Sequence, residues 1–225
     1  MKKNYVFHFA LIILTILISN KNYAQNDASL HITQLPINYS KERIDLSIQY
    51  LKERHGLIQT KPTINPKMIV LHFTAFGNIK SIHEYFNAAT IEENRQINKK
   101  VSALNVGSHY LIDRDGTIYQ LIPDTLFARH VIGLNYCAIG IENIGSEKEP
   151  LTNEQIISNA RLVRYLSSKY SIEYLIGHEE YIQFRNTSLW KETDAKYITY
   201  KNDPGKIFMQ GVRLLVADLG LKSMY

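Results

Sequence analysis

Apolar residues along this chain fall either into short unbroken runs or into positions three and four apart. Met68-Ile69-Val70-Leu71 is apolar throughout and β-rich, which predicts a strand covered on both faces. It runs into His72. The run from Cys137 to Ile141 reads the same way and ends on Glu142, and Tyr174-Leu175-Ile176-Gly177 ends on His178. Gly107–Ile112 and Thr117–Ile122 flank the turn Asp113-Arg114-Asp115-Gly116, so a hairpin is predicted with the two acids as turn formers. Helical spacing appears four times. The first helix follows Ser40 as N-cap, carries Ile44, Ile48 and Leu51 inward with Asp45 and Gln49 outward, and ends at His55-Gly56, where His55 faces the helix C-terminal dipole. The second covers roughly 79–89 with Ile82, Tyr85 and Phe86 on one face, and His83 reads as a packed or surface residue. The third starts at a Thr152/Gln155 capping box and turns Ile156, Ala160, Val163 and Leu166 inward. The last begins near Gly205 with Ile207, Val212, Leu215 and Leu219. Strands alternating with helices predict an α/β single domain, a central mixed β-sheet flanked by helices.

Length changes this picture little: 225 residues suit one domain with a sizeable core. The ends differ from the middle. Lys2 and Lys3 precede an apolar segment from Tyr5 to Ser19, and Tyr23-Ala24-Gln25 follows. This is the order of a secretory signal, so residues 1–24 are expected to be a signal peptide cleaved after Ala24. The apolar run of about 15 residues is short of the roughly 20 that a membrane span needs. Export is therefore expected, to a periplasmic or extracellular place, with no stable membrane association after cleavage. Residues 25–38 show no periodicity, so 25–66 reads as an N-terminal extension with one helix, followed by the main domain at 67–220. Exported chains often carry disulfides, but Cys137 is the single cysteine and sits in an apolar run as a small hydrophobe. Without Lys2, Lys3 and Lys21, the formal charge of +5 falls to +2. That is too small to argue for nucleic acid, and no basic stripe interleaved with aromatics appears.

The candidate chemistry lies at strand ends. Functional groups of open α/β sheets gather just beyond the carboxyl ends of strands, and here three such ends carry His72, Glu142 and His178. Far downstream, Lys201-Asn202-Asp203-Pro204-Gly205 places a cation and a carboxylate two apart before a turn. Zinc takes imidazole nitrogen and carboxylate oxygen, and a catalytic zinc keeps three protein ligands and one open position. His72, His178 and Asp203 would fill three places. No His-Glu-x-x-His helix is present, which counts against the common zinc peptidases.

Five segments in this order resemble the zinc-dependent N-acetylmuramoyl-L-alanine amidases of the amidase-2 type, whose fold is shared with peptidoglycan recognition proteins. They are Val70-Leu71-His72-Phe73-Thr74, the stretch Ser108–Gly116, Ile139-Gly140-Ile141-Glu142, Ile176-Gly177-His178 and Lys201–Gly205. The resemblance covers about residues 67–220 and implies His72, His178 and Asp203 as Zn2+ ligands, with Glu142 and Lys201 as catalytic partners. It implies that His130, and less directly His109, line the substrate groove. The substrate it implies is peptidoglycan or muropeptides, cut between N-acetylmuramic acid and L-alanine by a monomer. A non-catalytic binding module of the same fold is the alternative. The stretch from His178 to Asp203 is longer than in compact family members, so residues 179–199 read as an insertion over the groove. Glu179, Glu180 and Asp194 are then rivals for the third ligand. The aromatic residues there, Tyr181, Phe184, Trp190 and Tyr197, are expected to pack it down.

Overall fold

A computed structural model describes residues 30–91 and 101–223; the expected signal peptide at 1–24 lies outside them. Among the described residues six strands make one sheet: β1 (Ile32–Gln34), β2 (Met68–Phe73), β3 (Tyr110–Ile112), β4 (Ile118–Gln120), β5 (Ala138–Asn143) and β6 (Tyr174–Gly177). Their spatial order is β1-β4-β3-β5-β2-β6. Only the β3/β4 hairpin is antiparallel. The unbroken apolar runs are the central strands β2, β5 and β6, whose residues are buried on both faces, as a parallel centre requires.

Register sets up the site. His72 pairs with Glu142 across β2 and β5, and Leu71 pairs with Gly177 across β2 and β6. Paired residues share a face of the sheet, so His72 and Glu142 project from one side. His178, one residue past Gly177, falls level with them. Met68, Val70, Ala138 and Ile176 line the same face deeper down and pack with Val131, Leu134, Tyr181 and Phe184.

Among the described residues four α-helices accompany the sheet: α1 (Lys41–His55), α2 (Ile79–Asn87), α3 (Asn153–Lys169) and α4 (Lys206–Leu215). Three have side-chain caps. Ser40 accepts from Arg43 N, and Asn78/Ser81 and Thr152/Gln155 form reciprocal capping boxes. α3 is tied to the sheet by Gln155, which donates to Ile112 O and Ile144 O, and by Asn159, which donates to Asn143 Oδ1.

Several expectations change. The stretch at 25–38 is not featureless: β1 pairs in parallel with β4 at the sheet edge, and residues from Ile32 onward form one compact unit. The inner face of α1 is Arg43, Ser47, Tyr50 and Leu51, while Ile44 and Ile48 are half-buried. Polar Arg43 can face inward because its guanidinium donates to the carbonyls of Asn38, Phe86 and Ala88. His55 is no partner for the helix dipole. It is buried against Tyr50, Phe127 and Tyr136, and burial lowers its pKa to about 3, so it carries no charge. In α4, Ile207 points to solvent (84% exposed) and Phe208, Met209 and Val212 point inward. The 179–199 stretch begins as a 3-10 helix, His178–Asn186, and its Tyr181, Phe184 and Tyr197 are buried as expected. It docks on α1 through Arg54 and the enclosed Glu192 carboxylate at 2.6 Å, and through Thr193 N donating to Arg54 O.

Candidate metal centre

At the carboxyl ends of β2 and β6 three donor atoms meet. His72 Nδ1 lies 2.9 Å from His178 Nδ1, His178 Nδ1 lies 3.0 Å from Asp203 Oδ2, and Asp203 Oδ2 lies 3.3 Å from His72 Nδ1. All three residues are buried. A tetrahedral ion with bonds of about 2.0–2.1 Å has ligand atoms about 3.3 Å apart. The triangle is close to that size, and two imidazoles with one carboxylate are a zinc-type donor set.

Asp203 reaches the histidines despite the long approach because both ends of that approach are tied together. Tyr181 Oη donates to Thr199 O and accepts from Thr199 N, at 2.6 and 2.9 Å. Glu179 N donates to Asp203 O at 2.9 Å. Gly177 lets Pro204 close in: a Cβ there would stand 3.0 Å from Pro204 Cδ. The rival acids are engaged elsewhere. Glu180 accepts from Gly177 N and pairs with Arg213, and Asp194 pairs with Arg54. Glu179 lies in the 3-10 segment beside Glu180 and Lys206 rather than in the triangle.

Electrostatics follow from burial. It pushes His178 down to about 4, helped by neighbouring His72, so that ring is neutral and its lone pair is available. Burial alone would raise the Asp203 carboxyl, but its contacts with His178 and His72 outweigh it and hold Asp203 well below the usual carboxylate range. Glu142 moves the other way. Burial, then the Asp203 charge, lift its carboxyl well above the ordinary value, and Lys201 opposes that lift. Glu142 Oε2 is a buried oxygen with no hydrogen-bond partner among the described residues.

An open cleft runs up to this site, lined by His130, His178, Asn135, Thr199, Lys201 and Tyr197 among others. Lys201 is exposed at its edge. His109 is a correction. It is fully buried, its Nε2 donates to Leu126 O at 2.9 Å, and its Nδ1 accepts from Gly140 N at 3.0 Å. Both nitrogens serve the backbone, so it holds β3 against β5 and lines no groove. His130 is half-buried between the cleft and His72, with Nδ1 3.0 Å from His72 Nε2.

Reading the chain alone missed three residues that hold this arrangement. Asn143 prolongs β5 past Glu142 and donates to His72 O at 3.0 Å. Asn135 Oδ1 accepts from both His130 N and Val131 N. Gly140 leaves room for His130: a Cβ there would stand 2.7 Å from the imidazole Cγ. The available signal was Gly140 itself, since a glycine inside a buried strand marks a close approach; nothing in sequence pointed to the two asparagines.

The family model described as N-acetylmuramoyl-L-alanine amidase matches residues 60–206, a span that contains every residue of the site. The endolysin of Enterobacteria phage T3 is 27% identical over 129 residues, covering 55% of this chain and 81% of the endolysin. Among solved structures, the N-acetylmuramoyl-L-alanine amidase LysC from Clostridium intestinale URNW aligns with a TM-score of 0.50 and 24% identity, over 85% of this chain and 99% of LysC. The endolysin LysCS from the same organism aligns with a TM-score of 0.51 and 24% identity, over 85% and 97% of the two chains. At these identities the structural likeness speaks for the shared fold.

Proposed function

The chain belongs to the N-acetylmuramoyl-L-alanine amidase family, and from that premise we propose that it is a zinc-dependent, exported and monomeric enzyme that hydrolyses the amide between N-acetylmuramic acid and L-alanine in peptidoglycan. The observation that carries the reading is the convergence of His72 Nδ1, His178 Nδ1 and Asp203 Oδ2, with the unpartnered Glu142 Oε2 on the neighbouring strand. The donor types and the spacing of the triangle fit zinc. The chemistry zinc supplies when bound is Lewis-acid: it acidifies water toward neutrality and polarises a carbonyl.

The remaining work falls to the chain. Glu142 Oε2 takes a proton from the attacking water and returns it to the leaving nitrogen as the carbon–nitrogen bond breaks. Its carboxyl, lifted well above the ordinary value by burial, holds a proton more readily than a solvated glutamate, which suits this exchange. Lys201, a cation at the edge of the same cleft, stabilises the negative charge that builds on the carbonyl oxygen. His130 lines the groove beside it.

The test is digestion of cell-wall sacculi by purified protein, with metal analysis on the same preparation. Stem peptides with free N-terminal L-alanine are the expected product. Cuts within the stem peptide would make it a peptidase, and binding without release would make it a recognition module.

A further inference from the structure

We propose that His130, beyond lining the groove, is a positioning residue that fixes His72 in the tautomer able to bind metal. The inference rests on the zinc reading above and goes beyond it.

The hydrogen bonds run in one direction. His130 Nε2 lies 3.2 Å from the carbonyl oxygen of Ala138. A carbonyl only accepts, so His130 Nε2 carries the hydrogen. A neutral imidazole has one N–H and one acceptor nitrogen, which leaves His130 Nδ1 as an acceptor. Its partner, His72 Nε2 at 3.0 Å, must then donate. The free lone pair of His72 is thereby placed on Nδ1, the atom that completes the triangle with His178 and Asp203. The order is Ala138 carbonyl, His130, His72, metal. Metal-ligating histidines gain affinity when their second nitrogen is fixed in this way.

The relay is held in place from several sides without the help of any ligand. Asn135 Oδ1 accepts from the backbone N–H groups of His130 and Val131 at 2.8 and 2.7 Å. The His130 ring lies over Gly140, where a side chain would collide with it. His109 meets that ring edge-on, 5.8 Å between centroids, and is itself locked by Leu126 O and Gly140 N. These supports come from β5, the segment before it and the residue that leads into β3, so strand pairing itself orients the ligand.

The test measures zinc affinity of the full chain by chelator competition, without substrate. His130→Leu removes the acceptor and is expected to bind zinc about 10–100-fold more weakly. His130→Gln can accept from His72 through Oε1 and should recover most of the loss. A second readout is the ring nitrogen-15 spectrum of metal-free protein: His72 should be protonated at Nε2 in the wild type and a tautomer mixture in His130→Leu. Zinc affinity unchanged in His130→Leu, with only KM for muropeptides raised, would overturn the proposal and leave His130 a groove residue. If His130→Leu does not fold, the wild-type spectrum decides, because an Nδ1-protonated His72 sinks the proposal. Failure of the wild type to bind zinc would instead overturn the proposed function, and the relay with it.

Discussion

Gly140→Ala should damage the metal centre from inside a strand, although alanine is normally the better residue there. The backbone at Gly140 lies outside the left-handed region that favours glycine. On conformational grounds alone the change would stabilise by roughly 0.5–1 kcal/mol. Space decides otherwise. The new Cβ would lie 2.7 Å from His130 Cγ, 2.8 Å from Nδ1 and 2.9 Å from Cδ2. Carbon atoms settle at about 3.5–4.0 Å, so the ring must retreat by roughly 0.8 Å or more. It has bonds of 3.0 Å to His72 and 3.2 Å to Ala138 O, and a retreat of that size bends or stretches them away from their preferred geometry. Overpacking a core costs about 1–3 kcal/mol, which exceeds the backbone gain. For a domain of this size each net kcal/mol lowers Tm by about 2–4 °C. The assay pairs thermal melts in chelator with zinc titration; the variant should melt lower and bind zinc about 10-fold or more weakly. A variant as stable as wild type, with unchanged zinc affinity, would refute the reasoning, because it would mean that the ring can move without consequence.

Three further outcomes test other parts of the site. Glu142→Gln should keep zinc by metal analysis yet lose about 10²–10⁴-fold in kcat on muropeptide; retained turnover would remove Glu142 as the proton carrier. Lys201 holds the Glu142 carboxyl down against burial, so Lys201→Met should move the acid limb of the kcat/KM profile to higher pH, and a limb that stays or moves lower contradicts the assigned coupling. His109, held neutral by burial at about 4 against an ordinary value of 6.5, stabilises fully above pH 6.5 and loses that contribution as pH falls toward 4. The whole difference is about 3 kcal/mol at 1.36 kcal/mol per pH unit. Urea unfolding in chelator at pH 7 and pH 5 should show His109→Gln less stable at pH 7 and flatter between the two, and equal slopes would discount the buried histidine.

Much of the site was legible in the chain because buried strands announce their ends. An unbroken apolar run stopping at His72, another at Glu142 and a third at His178 locate three side chains at one edge of a parallel sheet. What the runs do not carry is register. That His72 stands level with Glu142, and Leu71 with Gly177, is decided by pairing across the sheet, and a slip of one residue would turn those side chains to the opposite face. The faces of α1 and α4 depart from their hydrophobic spacing for a related reason. Hydrophobic spacing cannot foresee that Arg43 finds three carbonyls inside, or that Ile207 faces solvent while Phe208 and Met209 take the core.

The two histidines assigned to the groove separate the levels most sharply. By sequence both sit beside apolar strands and look alike. Folding gives His109 two backbone partners and no solvent, and gives His130 one carbonyl, the neighbouring His72 and an opening onto the cleft. Asp203 shows the same division. Its identity, two residues after Lys201 and before Pro204-Gly205, was a property of the chain. Its arrival within 3.0 Å of His178 across the long 179–199 approach depended on Tyr181 and Thr199 closing that loop. The sequence by itself determined the strands, the capped helices and the kinds of donor available, because those follow from local periodicity and side-chain chemistry. Only the tertiary structure decided which donors meet and which nitrogen of each ring faces which neighbour, because those depend on contacts between residues far apart in the chain.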